Sequence, residues 1–544
     1  AADLPPGYAL ATAHPLATAA GVEMLEEGGN AFDAAVAVSA VLTVVASQST
    51  GIGGGGFFLL HREADGFETL VDGREVAPLA ANSKMFQDPK GVAIPKASLN
   101  GARGAAIPGL PATWHHIAQK YGTRPLARLL MPAVRIAREG FAIEEGKARQ
   151  LAKNRDRFSP AAAAVFLPGG QPPVAGTVIR QPDLAVTLEA VARDGRAGFY
   201  QGPVAAKLLA GVKQGGGVWQ AEDFTRYKVI ERKPMQFFFR GYRLTVAPPP
   251  SAGGVTLAQA LAMLEARGWP PADPVQARHE MVETMRRAYR DRLLLGDPAF
   301  VAMPLHRLLS REYLLGLARD IKPDAASLSM PVAQPVEAAN TTHFSILDAA
   351  GNRVAATETV NTEFGSGFMP PGTGVLLNNE MDDFAASLTA SNAYGLIGST
   401  ANAIAPGKRP LSSMAPTFVE GERGLLIIGG KGGSRIVSQV LFGVLDFIGG
   451  GDAQHAVTLR RYHHQYLPDR VDFEPGALSE FEQAELKKLG HTLRLVPDGW
   501  GLMHAVWWDR RGDTLQAAAD PRGIGTGAVK RLRGAEPAEA QVGR

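Results

Sequence analysis

The sequence predicts one large body in which helices and strands are mixed. Three observations predict it: a globular composition, apolar segments of both helical and strand-like spacing, and no linker between them. The chain has 544 residues, 45% hydrophobic and 20% charged. It can bury a large core and fits neither the disordered nor the fibrous classes. Length alone would allow about three or four domains of roughly 150 residues, but no Gly/Ser linker, charge block or internal repeat separates them. A single body is the simpler expectation.

Residues 17 to 25 have helical apolar spacing and meet Gly28-Gly29-Asn30, residues that tolerate positive φ and stop a helix. Asp33 can cap a second helix, which is apolar all round through Val36, Val38, Val41 and Val45 and is therefore expected to be buried. Gly51 and Gly53 to Gly56 then lead into a buried strand, Phe57 to His61. Residues 282 to 295 predict a solvated helix over a sheet, with Arg286, Arg287, Arg290 and Arg292 on its polar side. Residues 323 to 340 hold three prolines and almost no large apolar side chain, so this stretch cannot anchor itself in a core. Two strands follow, 341–347 and 353–360, joined by Ala349-Ala350-Gly351-Asn352 as a hairpin. Leu425 to Ile428 reads as a strand, Gly429 to Gly433 as a tight turn, and Ile436 to Ile448 as an apolar helix whose N-terminal amides favour an anion.

Composition excludes several functions. Lys plus Arg number 56 against 53 Asp plus Glu, a formal charge of +3 that offers no field for nucleic acid. The absence of cysteine removes disulfides, thiolate metal sites, iron–sulfur clusters and a cysteine nucleophile together. Any nucleophile must be an oxygen or an amine. The most apolar run, Ala34 to Ala46, is too short to span a bilayer, which takes roughly 20 residues. The missing thiols and the start at Ala1-Ala2-Asp3 lead to an expectation of a periplasmic or secreted protein.

Several motif-like strings carry no chemistry. Gly51, Gly53 and Gly56 spell G-x-G-x-x-G but follow a helix and precede a strand, the reverse of the nucleotide-binding order. His279-Glu280-Met281-Val282-Glu283 has a glutamate where a zincin has its second histidine. In His115-His116 and His463-His464 the members are adjacent and, on a strand, point apart. Neither a metal nor a cofactor is expected, and no G-x-S-x-G elbow is present.

The junction at Thr341 is the most informative point. A threonine hydroxyl is a weak nucleophile, and a base of pKa near 7 activates it; an N-terminal α-amine, at roughly 7.7 to 8.0, is such a base on the same residue. Cleavage between Asn340 and Thr341 would create it. Otherwise Thr341 and Thr342 simply open a strand, where threonine is common.

Read together, longer strings decide between these. Thr341-Thr342-His343-Phe344-Ser345, Asn361, Phe364-Gly365-Ser366-Gly367, Leu377 to Phe384, Lys408 to Met414, Gly432-Gly433-Ser434-Arg435 and Arg461 to Gln465 resemble the γ-glutamyltranspeptidase family. Gly28 to Ala31, Gly53 to Phe57, Arg74 to Pro78 and Leu295 to Pro298 fit as well, so the resemblance covers nearly the whole chain. It implies an α+β fold, the four-layer αββα sandwich of the N-terminal nucleophile hydrolases. It also implies a precursor that cuts itself into residues 1–340 and 341–544, which remain intertwined as a heterodimer.

The implied activity moves a γ-glutamyl group from glutathione or a related compound to Thr341, and then to water, an amino acid or a dipeptide. Thr359 would orient Thr341, and the amides of Gly432 and Gly433 would stabilise the oxyanion. Arg74, Ser412 and Ser413 would hold the donor's α-carboxylate, and Asn361, Glu380 and Asp383 its α-ammonium. Tyr394, within residues 385 to 405, takes the place of the aromatic of a lid over the pocket. The alternative of the same fold is a cephalosporin acylase, which takes glutaryl side chains. Asp383 argues against it, because a ligand without an ammonium would leave this carboxylate unpaired.

Overall fold

The helix from Ala31 to Val45 is buried at every position, and it marks the inside of a layered protein. The computed structural model describes residues 3–330, 340–385 and 398–533. Helix α1 (Pro15–Glu26) packs on α2 (Ala31–Val45). Asn30, not Asp33, caps α2: Asn30 accepts from the amide of Asp33, whose carboxylate returns to the Asn30 amide at 2.9 Å, a reciprocal capping box.

Thirteen strands form two antiparallel sheets. They are β1 (Gly7–Thr12), β2 (Gly55–Arg62), β3 (Phe67–Asp72), β4 (Ile230–Arg232), β5 (Met235–Phe239), β6 (Tyr242–Val246), β7 (Thr341–Leu347), β8 (Arg353–Thr359), β9 (Thr417–Gly421), β10 (Gly424–Lys431), β11 (Leu502–Asp509), β12 (Thr514–Ala519) and β13 (Thr526–Arg531). One sheet runs β13-β1-β7-β8-β2-β3-β4 and the other β12-β11-β10-β9-β6-β5. Strands from before and after residue 340 thus intermix in the first sheet, where β1 lies between β13 and β7, and share the second. Neither side of that point forms a unit alone.

Strand alternation sets the layers. Phe58, Leu60, Phe344 and Ile346 pack with α1 and α2, while Phe57, Leu59, Leu347 and Ala355 face the side of the second sheet that carries Phe418 and Ile427. The same second core takes in α3 (Gly253–Ala266), α4 (Pro274–Asp291) and α5 (Arg435–Ile448). The order is helices, sheet, sheet, helices, the αββα sandwich expected. Because both faces of each sheet are covered, strands such as Phe57–Leu60 and Leu425–Ile428 are apolar without interruption.

Two expectations change. The arginine-bearing helix is not solvated: Arg286 and Arg287 are each only 3% exposed. They bond Glu283 on α4, Asp320, Asp469, Ser327 and Ser329. Arginine at helical spacing is compatible with either a wet face or a buried polar seam, and tertiary partners choose. Residues 326–330 are accordingly anchored by polar bonds, among them Ser327 N to Glu283, Ser329 N to Asp469 and Met330 N to the Tyr466 hydroxyl.

Candidate active site

Thr341 opens β7 directly opposite Thr359, the last residue of β8. The hairpin Asp348–Asn352 holds that register: Asp348 Oδ1 accepts from the Ala350 and Asn352 amides. Thr341, His343 and Ser345 lie on the face turned to the second sheet, since Leu347 in the same alternation belongs to the inter-sheet core.

The Thr341 hydroxyl donates to Thr359 Oγ1 at 3.1 Å, and Thr359 donates in turn to the carbonyl of Asn340 at 2.7 Å. Asn361 N donates to Thr359 Oγ1 at 2.8 Å, fixing its rotamer. A hydroxyl that is hydrogen-bonded to a second hydroxyl, which polarises the carbonyl just before it, is the geometry an attack on that carbonyl needs. Beside it, His343 bonds Thr357 and Ser345 through its two ring nitrogens, and burial keeps its pKa well below the usual value. It stiffens the hairpin as a neutral ring.

Strand β10 runs past β7 to its end at Lys431, three residues beyond the expected end at Ile428, because Gly429, Gly430 and Lys431 pair with His504, Met503 and Leu502. A Cβ on Gly429 would lie 2.3 Å from the His343 ring, so the sheets touch there. Gly432 and Gly433 follow with φ of 136° and 59°. Both values favour glycine, and both amides are thereby freed from a regular strand. Lys431 donates to Asn340 Oδ1 at 3.3 Å and Ser49 to the same oxygen at 2.8 Å, so the end of β10 stands beside the Asn340–Thr341 junction. The Gly51–Gly56 run serves packing: a Cβ on Gly54 would lie 2.1 Å from the Thr359 carbonyl.

Arg74 is buried, not a surface ion pair. Its guanidinium contacts Glu380 at 2.9 Å and Asp383 at 2.7 Å, and donates to the carbonyls of Pro410 and Leu411. The groups assigned to opposite ends of a ligand therefore pair with each other. Glu75, whose carboxyl lies in the same cluster, is pushed up to about 7 by burial, and burial together with Glu75 and Asp383 pushes Glu380 well up against the pull of Arg74. Ser412 Oγ accepts from the Met414 amide, Ser413 Oγ accepts from Arg292 Nε at 3.1 Å, and Asn361 Nδ2 donates to the Asn379 carbonyl. Sequence reasoning missed Glu75, Arg292, Ser49 and Lys431. Arg292 falls on the helix face predicted to be wet, Glu75 lies in the Arg74 to Pro78 string with no role of its own there, and nothing in the local pattern marks Ser49 or Lys431. Tyr394 lies outside the described residues.

Among the described residues, His279, Glu283 and His491 come close enough to share an ion. However, both Glu283 oxygens are taken by Arg286, Arg287 and the Ser327 amide, and His279 Nδ1 bonds His491 Nε2 at 2.7 Å. The pairs His115-His116 and His463-His464 do not converge: His463 bonds Ser438 and Gln465, and His464 bonds Asp469.

A family model described as Gamma-glutamyltranspeptidase matches residues 17–530. The chain is 42% identical over 492 residues to the glutathione hydrolase proenzyme of Pseudomonas sp. (strain A14), covering 88% of this chain and 85% of that protein. It is 38% identical over 533 residues to the glutathione hydrolase proenzyme of Escherichia coli (strain K12), covering 95% and 90%. Among solved structures, the cephalosporin acylase from Bacillus halodurans matches with a TM-score of 0.86 at 27% identity, covering 96% of each chain. The chain belongs to the gamma-glutamyltranspeptidase family and is an enzyme of the N-terminal nucleophile hydrolase type.

Proposed function

We propose, from this membership and the site geometry, that the protein is a self-cleaving γ-glutamyltransferase and glutathione hydrolase with Thr341 as its nucleophile. The observation that carries the reading is the hydroxyl relay from Thr341 through Thr359 to the Asn340 carbonyl. In the precursor, the Thr341 oxygen attacks the Asn340 carbonyl carbon and the C–N bond breaks to leave an ester. Water then cleaves the ester, giving a carboxylate on Asn340 and a free amine on Thr341. Residues 1–340 and 341–544 stay together because their strands intermix in the first sheet and share the second.

The freed amine then takes the Thr341 hydroxyl proton during attack on the γ-glutamyl amide and returns it to the leaving amine. Thr359 keeps the hydroxyl aligned, and the Gly432 and Gly433 amides receive the oxyanion. Water, an amino acid or a dipeptide resolves the ester. The donor's α-carboxylate goes to Arg74, Ser412 and Ser413, and its α-ammonium to Asp383, Glu380 and Asn361. A zwitterion suits the Arg74–Asp383 pair, because inserting one cation and one anion between them leaves no charge uncompensated. A glutaryl group, as in the acylase reading, would satisfy Arg74 and strand Asp383. We place the protein in the periplasm or outside the cell, on the strength of its lack of cysteine.

Denaturing electrophoresis with N-terminal sequencing tests the first step. Two bands, the smaller beginning at Thr341, are expected; Thr341→Ala should give one uncut band and activity lower by at least about four orders of magnitude. Fully active material consisting only of the unbroken chain would falsify the proposal. Faster turnover of a glutaryl anilide than of a γ-glutamyl anilide would replace it with the acylase reading.

A further inference from the structure

A second recess adjoins Thr341 and is separate from the Arg74 cluster. It encloses about 390 Å3, and its wall includes Gln48, Ser49, Thr341, Thr342, Lys431 and Trp500. Other charged groups reach its edge but are spent elsewhere: Arg522 on Glu474 and Asp520, Arg149 on Glu145, and Glu144 on the Lys147 amide. Asp498 is exposed at the rim.

Lys431 differs from these. It is partly buried at the end of β10, next to Gly432 and Gly433, and its ammonium touches only a neutral oxygen, Asn340 Oδ1, at 3.3 Å. Among the described residues it makes no ion pair. Burial pushes its amine down, and Glu363 and Asp520 partly offset this from a distance. In the uncut chain this cation has no counter-ion among the described residues, and on the wall of a cavity that also contains the nucleophile it is a place for an anion, for which a ligand's carboxylate competes with the one the cut leaves on Asn340.

The chemistry of the reaction supplies one. The γ-glutamyl half of a donor occupies the Arg74 cluster, so what lies across the scissile amide must extend away from it. In glutathione that remainder is a dipeptide ending in a carboxylate. An amino acid or dipeptide acceptor, which must bring its amine to the same carbonyl, carries a carboxylate in the same direction. We propose that Lys431, with Ser49 beside it, binds the terminal carboxylate of the leaving dipeptide and of the incoming acceptor; this rests on the γ-glutamyl-transfer reading above. Lys431 is then a determinant of substrate specificity, and Asn340 Oδ1 holds its place until the chain is cut.

The test compares free acids with their amides on cut enzyme, normalised to the amount of chain that begins at Thr341. Wild type should prefer glutathione to its C-terminal carboxamide, and glycylglycine to glycylglycinamide as acceptor, by about tenfold or more in kcat/KM. Lys431→Arg should keep that preference, and Lys431→Gln should reduce it to within about twofold. If wild type treats acid and amide alike while still hydrolysing γ-glutamyl 4-nitroanilide, whose leaving amine bears no carboxylate, the Lys431 assignment is overturned and the γ-glutamyl reading survives. If no γ-glutamyl compound is turned over, the reading beneath it fails instead. Should Lys431→Gln remain uncut, the wild-type and Lys431→Arg ratios decide: loss of the preference in Lys431→Arg with an intact cut also overturns the assignment.

Discussion

Two of the buried arginine–carboxylate clusters among the described residues are composed differently. Around Arg74 three carboxyls, Glu75, Glu380 and Asp383, surround one guanidinium, which pairs with Glu380 and Asp383. Around Arg286 and Arg287, both Glu283 oxygens are occupied, and Asp469 and Asp320 complete the pairing. Burial pushes Glu75 and Glu380 up. Burial also acts on Glu283 and Asp469, but in the first Ser327, Arg286 and Arg287 outweigh it, and in the second His464, Ser329 and Arg286 do, so both fall below the usual range. A cluster with three carboxyls to one cation can receive a ligand's ammonium. One whose acceptors are used up holds chain to chain.

The largest effect should come from removing the cation of the first cluster. Arg74→Met is expected to lower kcat/KM for a γ-glutamyl anilide by about 100- to 1000-fold per cut enzyme. Its cost in stability should be smaller, because carboxyls already pushed up take protons readily. A variant that lost stability but kept its kcat/KM would erase the distinction between the clusters.

Arg287→Met should do the converse. It leaves Glu283 short of a partner in a buried site and should reduce the unfolding free energy by about 3–5 kcal/mol, read from urea unfolding. The activity of the remaining folded enzyme should stay within about threefold of wild type, since Arg287 touches nothing at Thr341.

Asp383→Asn comes next in size. It should cut normally, raise KM for the γ-glutamyl anilide by about 10- to 100-fold, and shift the ratio of rates towards the glutaryl anilide. An unchanged ratio would remove Asp383 from the ammonium site.

The smallest effect is the pH dependence, whose sign differs between the clusters. Glu75, raised from 4.5 to about 7, binds more protons folded than unfolded between those values. Its contribution to stability is full below its ordinary pKa and is lost as pH rises through about 7. Glu283 is depressed, so its contribution is present above its ordinary pKa and is lost as pH falls through the lower one. Urea unfolding at about pH 5 and about pH 8 should show Glu75→Gln gaining on wild type towards high pH. Glu283→Gln should instead lag wild type by a nearly constant amount over that range and close on it only as pH falls below about 4.5. Parallel slopes would mean that the clusters are alike.

Much of the site could be read without coordinates. The hairpin 341–359, the buried helix α2 and the glycine pair at 432–433 follow from spacing, turn residues and φ preference, all of which act within a few residues. The electrostatics could not be read. Arg286 and Arg292 stand on neighbouring turns with the same chemistry, yet one is locked to Asp469 and the other reaches Ser413. Lys431 falls within the predicted Gly429–Gly433 turn, and only the extension of β10 as far as Lys431 brings it to Asn340.

By itself the sequence determined the elements and the absence of thiol chemistry, because backbone preference and side-chain type are properties of a residue and its near neighbours. Only the tertiary structure decided which charges meet. Arg74 and Asp383 are 309 positions apart, Ser49 and Asn340 are 291 apart, and whether a buried charge is neutralised or left over depends on the partners that sheet packing brings within a few ångströms of it.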